Sequence, residues 1–257
     1  MATFKTYLKK EVLESIRRYK YLILFLGLIV WGIINTVLLR LLPTLLEGEL
    51  PPELLQAMQM DRSTAVLSFF QDLFSVGNLL VVFLFMGVVA AERKQKSLML
   101  PFTKNISATG LVLAKAVHYT VVVTIAIVFS VLINILYVFI LFEEGSIELV
   151  NIVSSTGLYA LYFAVTVSLL IFLGSIFKTS IIPGVITLAI NFLTPMFHRV
   201  PALERILPYN LIEKSYQGFN GAVIWDADIW VTISCALLLI ILLNYLAIRR
   251  LKVTEVA

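Results

Sequence analysis

One cysteine and two histidines occur in 257 residues, and only 14% of the side chains are charged. The lone Cys235 lies in an apolar run, so the chain can build neither an intrachain disulfide nor a thiolate metal cluster. His118 and His198 belong to no His-Glu-x-x-His pair, which excludes a zinc protease of that type. There is no paired intramembrane aspartate. A phosphate-binding loop is also missing: the nearest approach, Gly174-Ser-Ile-Phe-Lys178-Thr179, lacks the second glycine and the preceding strand. The chain therefore reads as no enzyme, with no cofactor or metal of its own, and any ATP hydrolysis must come from another polypeptide.

What is present is apolar. Hydrophobic residues make up 60% of the chain and the mean hydropathy is +0.97, more apolar surface than one soluble core can hide. The expected fold is an all-α membrane protein forming one transmembrane domain over 1–257. A membrane helix needs about 20 mostly apolar residues, and six segments approach that length: 21–42, 68–91, 114–142, 152–177, 181–197 and 229–248. The first is too long for the apolar core of a signal peptide and has no small-residue cleavage pattern after it.

Basic residues cluster on one side of this plan. Lys5, Lys9, Lys10, Arg17, Arg18, Lys20, Arg93, Lys94, Lys96, Lys104, Lys115, Lys178, Arg249, Arg250 and Lys252 are fifteen of the twenty. The loops on the other side carry most of the acidic residues. The positive-inside rule then makes both termini cytoplasmic, in a multi-pass cell-membrane protein of prokaryotic plasma-membrane type. The net charge of +4 belongs to these membrane flanks, and no nucleic-acid partner is expected.

Residues 1–20 read as a helix in the inner interface, with Phe4, Leu8, Val12, Ser15 and Tyr19 on one face and cations for anionic headgroups on the other. A bend is expected between Tyr19 and Tyr21. On the outer side, Glu53 to Met60 read as a short amphipathic helix after Pro51-Pro52. The segment 198–228, with Leu203, Ile206, Leu207, Leu211 and Ile212, is too apolar for a free loop and reads as dipping into the outer leaflet. No charged residue is expected deep in a span, Asp72 being placed near an outer end. Asn35, Asn78, Asn134, Asn191, Thr166, Ser168 and Thr194 are expected to bond between helices.

The long charged stretch between two apolar runs is Ala91 to Lys115. Read from its residues alone it is a short interfacial helix or an ordinary basic inner loop. Glu92-Arg93-Lys94-Gln95-Lys96-Ser97-Leu98, then Leu100-Pro101-Phe102-Thr103-Lys104, closed by Leu113-Ala114-Lys115, resembles the first cytoplasmic loop of permease subunits in type V ABC exporters. Lys96 stands where those permeases have glycine, and Lys104 where they have arginine. The resemblance extends to the plan of the chain, from the amphipathic first helix to the outer segment before the last span.

That resemblance implies a coupling loop over 92–113. Glu92, Arg93, Pro101, Phe102, Thr103, Lys104, Asn105, Ile106 and Ser107 would meet a separate ATPase subunit, present in two copies and binding ATP and Mg itself. Residues 102–110 would form the lever, capped by Asn105 or Ser107. It further implies a second permease copy or paralogue, with Phe74, Asn78, Val81, Phe85, Asn191 and Phe192 lining the pathway, joined by Val88, Val185 and Leu188. So lined, the pathway suits an amphipathic or lipid-like substrate, peptide favoured, and interacts with membrane lipid. Export of polysaccharide, lipid, drug or sodium, a non-transporting immunity or sensory subunit, and an ATP-independent carrier are the alternatives.

The topology is tested with cysteines placed at Glu144 and Glu255 in a chain whose Cys235 has been replaced. In intact cells only the first should react with an impermeant reagent, and labelling of both would overturn the assignment.

Overall fold

The computed structural model describes residues 2–47, 51, 60–94, 107–197 and 200–255. It is 84% helix, with no strand among the described residues. Among the described residues ten helices follow in order: α1 Ala2–Arg17, α2 Lys20–Leu45, α3 Arg62–Phe85, α4 Ala90–Lys94, α5 Ala108–Leu141, α6 Leu149–Ile176, α7 Ile181–Phe197, α8 Pro201–Glu204, α9 Tyr209–Phe219 and α10 Ala227–Glu255.

Among the described residues five segments are long and apolar enough to cross a membrane: Lys20–Leu45, Arg62–Glu92, Ala108–Leu141, Leu149–Ile176 and Ala227–Lys252. The fifth expected span, 181–197, coincides with α7, whose 17 residues rise only about 26 Å. That is shorter than the usual hydrocarbon core. The expected boundaries at 68 and 114 were too late. Asp61 caps α3 by accepting from the backbone N–H of Thr64 at 2.8 Å, and Ser107 caps α5 by accepting from Gly110 at 3.2 Å. Hydropathy windows lose these polar first turns, whereas an N-cap marks where a helix starts. Residues 108–110, expected in a lever, are therefore the first turn of α5.

Helix α6 is the centre of the bundle, packed against α5, α9 and α10, while α2 and α3 pack together and onto α5. Arg62 donates to the carbonyl of Phe142 at 2.8 Å and its backbone N–H to Glu144 at 3.0 Å, tying the start of α3 to the end of α5. The end carrying α1 is the basic end below, and the end carrying Arg62 and Phe142 the far end. The interhelical amides expected from sequence are in place. Asn134 donates to Thr36 at 2.8 Å and Asn244 to Ser168 at 3.0 Å. Thr194 differs, bonding Ile190 of its own helix at 2.5 Å.

The segment before α10 folds as α8 and α9. Leu211 and Ile212 are fully buried, whereas Leu203 and Ile206 are exposed. Asn210 donates to Thr232 of α10 at 2.8 Å, and the buried face of α9 rests on α6. The helix expected at 53–60 lies outside the described residues except for Met60.

Helix α1 departs from expectation. Its buried face is Tyr7, Glu11 and Ser15, not an apolar stripe reaching Tyr19, and it packs on α5. Tyr19 is the break between α1 and α2, with φ of 54° and its side chain two-thirds exposed. A non-glycine residue in the left-handed region costs about 1–2 kcal/mol, and a β-branched one more. Tyr19→Gly should leave α1 docked, whereas Tyr19→Ile should loosen it by about 1–2 kcal/mol. Proteolysis rates of the amino-terminal segment in detergent check this.

Candidate functional site

The basic end holds a cluster of charges removed from solvent. Lys115, on the second turn of α5, is 1% exposed and Glu11 of α1 is fully buried. The Lys115 ammonium donates to Glu11 Oε1 at 2.6 Å and lies 3.2 Å from Glu92 Oε2. Lys10 pairs with the same Glu92. Tyr119 donates to Glu11 Oε2 at 2.8 Å and accepts from Lys20 at 3.1 Å. Ser15 and His118 Nε2 stand 3.1 Å apart. Three elements distant in sequence, α1, α4 and α5, are thus joined by one hydrogen-bonded charge network.

Burial alone would raise the carboxyl pKa of Glu11. Lys115, Tyr119 and Lys10 outweigh it and hold that pKa below its ordinary value of 4.5. A depressed carboxylate stabilises the fold above its unfolded pKa, and this contribution is lost as pH falls through the lower folded value. The contribution of Glu11 to docking of α1 should therefore be fully present above about pH 5 and be lost as the pH falls below that.

The carboxylates of Glu11, Glu14 and Glu92 approach within 4.8 Å of one another, a grouping that can hold a metal ion. Two lysines already balance this charge, so a divalent cation would have to displace their ammonium groups.

Glu92 and Lys115 flank the expected coupling loop, and their pairing closes its base. Arg93 lies in α4, and Ser107 is the cap of α5. Pro101, Phe102, Thr103, Lys104, Asn105 and Ile106 lie outside the described residues. The signal for Glu11 was present in the sequence: Tyr7, Glu11 and Ser15 recur every fourth residue, as do Lys115 and Tyr119. Only their meeting required the fold.

The expected pathway residues divide between two environments. Phe74, Asn78, Val81 and Phe85 lie on the buried face of α3. Phe85 packs on Tyr119 with ring centroids 4.7 Å apart, and Phe74 packs edge-on against Phe192 at 5.9 Å. Asn191 of α7 donates to Asn78 at 2.7 Å and to Thr166 at 3.1 Å, so the two asparagines meet in a buried seam between α3, α6 and α7. Val88 is buried, whereas Phe192 and Val185 are exposed. Beside this seam is a mostly apolar cavity of about 260 Å³, lined among others by Tyr162, Thr166, Asn191, Leu207, Leu239 and Leu243.

The outward face of α3 was not anticipated. Thr64, Gln71 and Ser75 are exposed and Ser68 is half-buried, at i, i+4, i+7 and i+11, one helical face. Asp72 stands at its edge. By contrast α2 turns Leu22, Ile23, Leu26, Val30, Ile34 and Leu38 outward. Asp72 Oδ2 accepts from Asn35 at 2.6 Å and from Trp31 Nε1 at 3.0 Å. Both donors lie mid-way along α2, and Asp72 is ten residues, roughly 15 Å, from the end of α3. The expectation of uncharged spans fails here, because α3 begins six residues earlier than hydropathy indicated.

No protein-family model matches the chain, and no curated protein does.

Removing one partner of a buried ion pair strands the other, at about 3–5 kcal/mol. Lys115→Met should cost about that much, measured as denaturant-induced loss of folded protein in detergent. Adding Glu11→Leu should return part of it, because coupled neighbours are not additive.

Proposed function

We propose that the chain is the permease subunit of an ATP-driven exporter of the type V ABC class, with both termini cytoplasmic and α7 completing six crossings. A separate ATPase docks at the loop following α4, and two permease copies or paralogues enclose the pathway. The observation that carries this reading is the ion-paired base of that loop. A segment that passes force from an ATPase to membrane helices needs a stem that does not yield. The Lys115, Glu92 and Glu11 network is such a stem, and it binds α1 and α5 to the same movement.

The polar outward face of α3 supports the second half of the proposal. Gln71 facing hydrocarbon would leave its amide unsatisfied, whereas facing water or another copy it is accommodated; the Ser75 hydroxyl already donates to the Gln71 carbonyl at 3.4 Å. The pathway wall is accordingly the Thr64 to Ser75 face of α3, continued by Val185 and Phe192 of α7. Phe74, Asn78, Val81 and Phe85 support that wall from behind. A wall part polar and part apolar suits an amphipathic substrate.

The test is co-purification with the ATPase from native membranes. Phe102→Asp or Ile106→Asp should abolish the complex or uncouple hydrolysis from transport, since a charge buried without a partner costs several kcal/mol. Unchanged assembly and transport in both variants would leave the loop with no coupling role.

A further inference from the structure

A half-buried carboxylate within an apolar helix bundle, as Asp72 is, ordinarily has a cation beside it. Asp72 does not. Its two hydrogen bonds come from neutral donors, Asn35 and Trp31, and both fall on Oδ2. Among the described residues no lysine or arginine nitrogen lies within 4 Å of it. The neutral donors orient the carboxylate and stabilise its charge without cancelling it. The second oxygen is left for something that is not part of this chain.

The position is as telling as the pairing. Asp72 lies roughly 15 Å along α3 from its far end, beside the exposed Gln71 and one turn from the exposed Ser75. The Trp31 indole lies against it and offers a face on which a cation could also rest. Ionisable groups at such depth are costly to bury and mark ligand or ion pathways. A carboxylate backed by two fixed donors, bordered by an amide and a hydroxyl and flanked by an aromatic ring, is built to receive an ammonium or guanidinium group.

We propose that Asp72 is the anionic subsite of the pathway wall and that it selects cargo carrying a positive charge on an amphipathic body, such as a lysine-bearing amphipathic peptide. This rests on the exporter reading and narrows its substrate class. The apolar α7 surface at Val185 and Phe192 takes the body of the molecule, and Asp72 takes its charged group. Asn35 and Trp31 are positioning residues that hold the carboxylate toward the pathway.

Trp31 supplies its own reporter. With Trp225 and Trp230 replaced by phenylalanine it is the one remaining tryptophan, and its indole nitrogen touches the proposed subsite. The full chain in phosphatidylcholine nanodiscs is titrated with dodecyltrimethylammonium and, separately, with a neutral dodecyl glycol ether. The cation should shift Trp31 emission saturably and bind at least about tenfold more tightly than the neutral amphiphile, as a partly desolvated ion pair provides. Asp72→Asn keeps an acceptor for Asn35 and Trp31 while removing the charge. It should lose the tenfold preference and leave neutral binding unchanged. Equal affinity for the cation in Asp72→Asn and the parent chain overturns the proposal. Should that variant not stay monodisperse, the parent chain decides alone, and equal binding of cation and neutral amphiphile overturns it. No ATPase is present in this assay, so its outcome is independent of co-purification, which tests the exporter reading separately.

Discussion

The ion pair between Lys115 and Glu11 is the interaction on which the basic end depends. Neither group has water to fall back on, so separating them means leaving a charge in a dry site, a cost of about 3–5 kcal/mol. Glu92 shares the same ammonium, and Lys10 holds Glu92 from the other side. Any displacement of α4 therefore pulls on α5 and on α1 together. Helix α1 is not an independent membrane anchor, because its buried face carries a carboxylate and a hydroxyl that only α5 can satisfy.

The far half of the bundle is held differently. Between its long helices the polar contacts are single amide and hydroxyl bonds, such as Asn134 to Thr36 and Asn191 to Asn78, and its ion pairs, Arg205 with Asp228 and Lys214 with Asp226, are confined to the segment around the start of α10. Within a membrane each is worth about 0.6–2 kcal/mol. Such bonds can exchange partners at small cost, and the surrounding contacts are between aromatic and aliphatic side chains. The molecule thus combines one stiff, charge-locked end with a body whose helices can slide. A lever acting at the stiff end would be transmitted as a movement of whole helices, the pattern of shear between packed elements.

Hydropathy and charge distribution made most of the helices legible before the fold was known, since long apolar runs need no partner to be recognised. Faces were less legible. The choice of Phe74, Asn78, Val81 and Phe85 for the pathway followed aromatic and amide residues down one side of α3, and that side faces inward. In an apolar solvent the sign of amphipathicity weakens, because a leucine is equally at home in lipid and in the core. Thr64, Ser68, Gln71 and Ser75, polar residues repeating at helical spacing, were the signal for the outward face of α3. Glu11 was hidden by a related assumption, that a basic amphipathic helix at a membrane must turn its apolar residues toward lipid. The stretch 92–115 carries the family resemblance, and only 92–94 and 107–115 of it fall within the described residues.

The outward face of α3 also limits what can surround this chain. Lipid against Thr64 and Gln71 would leave a hydroxyl and an amide without partners, and lipid against Asp72 would face a carboxylate held by only two neutral bonds. Water against the same face satisfies all of them but requires that something exclude lipid. A second chain alone would satisfy them only by offering matching polar groups, and among the exposed residues of α7, Ile182, Val185, Phe192 and Leu193 offer none. In the proposed exporter both conditions would be met by a second copy set apart across a wet cleft, with α3 and α7 of each chain forming its walls. Such a cleft would place Asp72 within reach of water and of the proposed cargo.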